Sequence, residues 1–153
     1  MKRVILALTC AMAFASAIPA QGLTSGALEY RGTIDFSRSI ADFSGMAERG
    51  EYQSVKNLQD RAFFLFGTLT KPIILEEDPY LAFAELLEGE WVGRSQLLLH
   101  RVLLVFSGNS FQELLDGPSG LRAVAIVQNP RLEEAPDGNP VIYLDVISIK
   151  PVF

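Results

Sequence analysis

The chain has 153 residues, 18 of them acidic and 13 basic, for a formal net charge of −5. That balance argues against a nucleic-acid partner and against docking on an anionic lipid layer, because both draw on clustered Lys and Arg. A single cysteine, Cys10, rules out an internal disulfide framework.

The first residues read as an export signal. Met1-Lys2-Arg3 is cationic, an apolar run extends from Val4 to Ala15, and Ala15-Ser16-Ala17 and Ile18-Pro19-Ala20 end in small residues. Charge, greasy segment and cleavable small residues in that order form a secretory leader. The run is shorter than the about 20 residues a membrane helix needs, and no integral membrane anchor is expected. Cleavage after Ala17 or Ala20 would remove Cys10 and two basic residues, and residues 21–153 would carry a charge of −7. Cys10 is not read as a lipidation site, since Ala7 stands where such signals usually carry Leu. The expected location is periplasmic or secreted.

Residues 21–53 are read as an N-terminal segment of strand or loop. Leu28, Tyr30, Ile34 and Phe36 alternate as a strand interrupted at Gly32, and Ile40 to Gly50 reads as loop or a loose helical turn. From residue 54 to 153 the pattern is that of one β domain. Arg61–Thr70 is aromatic and β-branched and predicts a strand with a bulge or bend at Gly67. Lys71-Pro72 and Glu76-Glu77-Asp78-Pro79 punctuate the chain, and Tyr80–Leu87, whose pattern fits strand or helix, is read as a second strand because it is short and bounded by turns. Leu97–Phe106 is the most apolar stretch after the leader and predicts a third. Ser110 and Glu113 stand at capping-box spacing before Phe111, Leu114 and Leu115, so one short helix is expected, stopped by Gly117-Pro118. Leu121–Gln128 and Val141–Ile149 complete the set as two strands joined by a polar loop over 129–140.

Three strands, a short helix and two strands is the order of an OB-fold, a small Greek-key barrel. The reading is therefore a mainly β, OB-like barrel of five or six strands. Short motifs resemble one family with that fold. Ser54-x-Lys56-x-Leu58-x-Asp60 ahead of a strand with Gly67, Trp91-x-Gly93, and Asp145-Val146-x-x-Ile149 are similar to the small periplasmic bacterial OB-fold proteins called the BOF family. The resemblance implies a stress-associated envelope protein that binds something small or another envelope component, and it brings no catalytic residues.

The residues with chemistry are few. His100, the only histidine, shares a face with Leu98, Val102, Leu104 and Phe106 and reads as structural. Glu76-Glu77-Asp78, Glu85, Glu88 and Glu90 form the densest acidic region, without metal-loop spacing, and read as a solvated face. Trp91 lies between Gly89 and Gly93 in a turn, where an exposed indole could stack on a ligand ring. The expected ligand-binding residues are Trp91, Arg94 and Tyr80, with no catalytic residue, metal or cofactor. The function expected is a non-enzymatic, exported envelope protein recognising a small ligand or envelope component. The alternative is a structural or accessory subunit of a surface or periplasmic assembly, its unassigned segment completing a neighbour's sheet.

Overall fold

The computed structural model describes residues 32–152. The leader read in residues 1–20 lies outside them, as do Leu28 and Tyr30. The sheet has seven strands: β1 (Ile34–Asp35), β2 (Ala62–Leu69), β3 (Ile73–Glu77), β4 (Tyr80–Val92), β5 (Gln96–Ser107), β6 (Leu121–Glu134) and β7 (Pro140–Pro151). Their order is β1-β2-β6-β7-β5-β4-β3, and a further pairing of β2 with β4 closes β2, β4, β5, β7 and β6 into a barrel. Successive barrel strands pair antiparallel, except that β5 and β7 run parallel, Leu104 against Leu144. With the short helix α3 (Gln112–Leu115) between its third and fourth strands, the barrel has the OB-like arrangement expected from the sequence. β1 and β3 are short additions at its edges.

Period-2 alternation builds the barrel. Phe63, Leu65 and Leu69 on β2 point inward against Val127, Ala125 and Leu121 on β6, while Phe64, Phe66 and Thr68 point outward. On β4, Tyr80, Ala82, Ala84 and Leu86 are buried, and β5 answers with Val102, Leu104 and Phe106. Burying each large apolar side chain contributes about 1.5–3 kcal/mol relative to exposure.

The segment read as loop or a loose helical turn over Ile40–Gly50 is a regular nine-residue helix, α1 (Ile40–Glu48). Its start is a full capping box: the Ser39 Oγ accepts from the Asp42 backbone N, and the Asp42 carboxylate accepts from the Ser39 backbone N at 2.7 Å. Ile40, Phe43, Met46 and Ala47 fall on one stripe and close the bottom of the barrel, Phe43 lying edge-on to Phe63 at 5.1 Å. Ser44 and Gly45, which weakened the helical signal, sit inside α1. The Ser54-Lys56 motif falls in and just after helix α2 (Tyr52–Lys56), whose Val55 joins the same core. The core therefore draws on residues 40–55 as well as on the strands.

Other elements run further than their sequence signals. β4 continues to Val92, and β6 continues through Asn129-Pro130, which had read as the start of a loop. A register irregularity absorbs them: Asn129 takes φ 53°, a conformation Asn tolerates better than most residues, and its amide donates to Asp145. The turn between β6 and β7 shrinks to 135–139. α3 is present, but no side-chain cap bond forms at its start. Among the described residues no helix is long and apolar enough to cross a membrane.

Gly67 is not a bulge. The β2–β6 register passes through it unbroken. A Cβ there would lie 2.6 Å from the Leu87 carbonyl oxygen and 2.8 Å from Ile40 Cδ1, so glycine is what allows β4 and α1 to approach β2. Gly67→Ala should lower stability by about 1–3 kcal/mol in urea unfolding, and an unchanged midpoint would remove this explanation.

Tyr80 is 1% exposed, and its hydroxyl has no hydrogen-bond partner. Burial, with Asp116 adding to it, pushes its phenol above the usual tyrosine range. A raised folded-state value means stability is complete below the unfolded tyrosine range near pH 10 and is lost as pH rises through the folded value. Tyr80→Phe should be neutral or stabilising by about 1 kcal/mol at neutral pH and should remove part of the alkaline loss, measured by denaturant melts across that range.

Candidate functional site

The outward side chains of β4 and β5 form one continuous face. On β4 these are Leu81, Phe83, Glu85, Leu87, Gly89 and Trp91, and the register sets them opposite Ser107, Val105, Leu103, Arg101, Leu99 and Leu97. At the barrel end, the β2–β3 connection and the 135–139 turn flank this face and leave a cleft of about 250 Å³, with Lys71, Ile73, Phe83, Arg101 and Asp137 in its walls. Beneath the turn, Leu103, Ala135 and Val141 form a small apolar cluster against Phe83 and Tyr143.

Arg101 holds the cleft together. One guanidinium nitrogen donates to Glu85 Oε1 at 2.8 Å and the other reaches Asp137 Oδ2 at 2.7 Å. The strand face is thereby tied to the turn. Burial opposes the arginine's charge, but the bonds to Asp137 and Glu85 outweigh it and raise its pKa. Asp137 is held below the usual carboxylate range, first by the Asn139 backbone N–H and then by Arg101. The Glu85 backbone N donates to Thr70 Oγ1 at 3.0 Å, fixing the strand next to Lys71.

At the other end, β4 and β5 run past the barrel as a two-stranded arm. Trp91 is 68% exposed and Leu99 64%. Gly89 lets the leucines opposite fold over the arm: an added Cβ would stand 3.3 Å from Leu97 Cδ1. Gly93, at φ +67°, makes the turn that carries Arg94. On the opposite side of the arm His100 meets Glu90 at 3.3 Å, and Glu88 accepts from the Ala41 backbone N at 3.3 Å in the first turn of α1.

Of the residues expected to bind a ligand, Trp91 and Arg94 lie together at the tip of the arm. Tyr80 does not join them. It is eleven positions away at the start of the same strand, about 36 Å along β4, on the inward row and buried. The inward phase of β4 places Tyr80 in the core, apart from the face that carries Trp91. The acidic region is dispersed as well, with Glu85 on Arg101, Glu88 on α1 and Glu90 on His100. Among the described residues no group of three His, Cys, Asp or Glu could hold a metal ion. The residues missed by sequence reasoning are Arg101, Lys71, Phe83 and Asp137. Counting back from the Gly93 turn would have paired Leu87 with Arg101, next to Glu85; no sequence signal links Arg101 to Asp137.

The net charge is not spread evenly. Several acids are neutralised in ion pairs, Asp145 and Glu133 on Arg131 among them, whereas Lys71 and Arg94 have no ion-pair partner among the described residues. A negative total therefore does not exclude a locally cationic surface.

No family model and no curated protein matches the chain. Solved structures similar to it include a small single-stranded DNA-binding protein from Streptomyces coelicolor, with 10% identity, a TM-score of 0.44, and 60% of this chain and 92% of that one covered. Another is the SSB of Plasmodium falciparum in complex with single-stranded DNA, at 15% identity and a TM-score of 0.45 over 60% of this chain and 94% of that one. A third is the second single-stranded DNA-binding protein, SSBb, of Mycobacterium smegmatis, at 17% identity and a TM-score of 0.39 over 59% and 86%. What these neighbours bind runs against the expectations of an envelope ligand binder, of an accessory subunit and of no nucleic-acid partner, and all three are withdrawn.

Proposed function

We propose that the chain is an OB-type binding protein, not an enzyme, that takes a single strand of nucleic acid along the outer face of β4 and β5. The observation that carries this reading is the continuous outward row from the Lys71–Arg101 cleft to Trp91. That row occupies the second and third strands of the barrel and is flanked by the two connections that OB barrels use for oligomeric ligands. Phe83 near one end and Trp91 at the other offer flat rings, and Lys71 and Arg94 supply a cation at each end. Base-on-aromatic stacking is worth about 1–3 kcal/mol per base and does not depend on sequence. Arg101 is already committed to Glu85 and Asp137, so its part is to hold the cleft rather than to bind phosphate.

Because the acids leave only two cations on this face, the salt dependence should be shallow, with log K falling against log salt at a slope of about −1.4. Trp91 is the only tryptophan, so its fluorescence reports the site without labelling. Titration with oligothymidylate at low salt should quench it. Trp91→Ala should weaken binding about 5- to 150-fold by anisotropy of a labelled oligonucleotide. No quenching and no anisotropy change at low salt would end the proposal. The proposal includes export, as the leader read in residues 1–20 implies; N-terminal sequencing of the exported chain should begin at Ile18 or Gln21.

A further inference from the structure

A second aromatic surface lies on the opposite side of the seam that closes the barrel. Outward on β2 are Phe64, Phe66 and Thr68, and β6 sets Ile126, Val124 and Arg122 against them. β7 adds Lys150 beside Val124. The Arg122 guanidinium lies 4.6 Å from the centre of the Phe66 ring, a stacked cation–π pair. Phe36, from the segment after β1, reaches over to Phe64 at 5.4 Å between ring centres and leaves 71% of itself in solvent.

An outer sheet face in water usually alternates toward polar residues, and here two phenylalanines remain exposed, Phe66 by 39%. Among the described residues, the outward positions of β2 and of the β6 stretch paired with it are free of acids, and on β7 Asp145, opposite Gln128, is bonded by Asn129 and Arg131 while Ser148 and Lys150 follow it. Asp35, which lies beside β2, accepts two bonds from Ser37 and has Arg61 at 3.7 Å. On a chain of net charge −5, this face thus has exposed rings and two cations, and the acids at its border, Asp35 and Asp145, are already paired. Its complement is an anionic polymer with flat apolar rings.

The two faces touch. Thr68 on β2 pairs with Leu87 on β4, midway along the row that leads to Trp91. We infer that a single strand too long for the β4–β5 face turns across Thr68 and continues over Phe66, Phe64 and Phe36, with its phosphates toward Arg122 and Lys150. This rests on the function proposed above and adds to it a second contact surface and hence a longer occluded length.

The test compares labelled oligothymidylates of about 6 and about 16 nucleotides, within the range one OB barrel occludes. Phe36→Ala/Phe66→Ala should weaken the long oligonucleotide at least tenfold and leave the short one unchanged, whereas Trp91→Ala should weaken both. Arg122→Gln/Lys150→Gln, surface changes that leave the core intact, should flatten the salt slope for the long oligonucleotide by about 1.4 and not for the short one. If the phenylalanine pair leaves long-oligonucleotide affinity unchanged while Trp91→Ala still reduces it, this inference falls and the proposed function stands. If neither length binds the unaltered chain, both fall. A shift in sedimentation of the phenylalanine variant, without loss of oligonucleotide affinity, would make the face a contact between protein copies and also overturn the inference.

Discussion

The barrel closes through a narrow seam. β2 meets β4 in a short register, Thr68 against Leu87 and Leu69 against Leu86, and the Thr70 backbone N donates to Glu85 at the end of it. Every other barrel strand is held by a longer ladder on both sides, except where β5 and β7 run parallel. The seam tolerates no side chain at Gly67, because the Leu87 carbonyl and Ile40 already occupy that space. Once it is closed, the inward rows form one core, and the outward rows of β4–β5 and β2–β6 become neighbours around a curved surface.

How charge is used follows from that geometry. Arg101 sits between Glu85 on β4 and Asp137 in the 135–139 turn, and Arg131 between Asp145 on β7 and Glu133 on its own strand. Exposed pairs of this kind contribute at most about 1 kcal/mol each, so their effect is positional. They use up acidic side chains that a residue count treats as free, and they leave Lys71, Arg94, Arg122 and Lys150 to set the local field.

The β core was readable in the sequence because period-2 alternation survives in each long strand: Phe63, Leu65 and Leu69, or Val102, Leu104 and Phe106, announce their faces directly. Helix α1 was not. Ser44 and Gly45 lower its propensity, and only the packing of Ile40, Phe43 and Met46 on the barrel overrides them. Gly67 reads as a bulge or bend in the sequence because the close approach of a neighbouring strand leaves the same local signature. Trp91 and Arg94 stood out by their flanking glycines, but Tyr80 was grouped with them although strand phase sends it inward. Arg101 was hidden because one of its two partners lies 36 positions away, across a turn whose placement depends on the whole barrel.

Glu88 gives the arm an unusual mechanical role. Its carboxylate holds the Ala41 backbone N–H in the first turn of α1, one residue beyond Ile40, whose side chain presses on the seam at Gly67. The projecting hairpin, the helix and the closing strands are therefore linked as a lever, a pivot and a latch. Displacing the hairpin at Glu88 would therefore also release a contact at the start of α1, beside the joint where the cylinder is sealed.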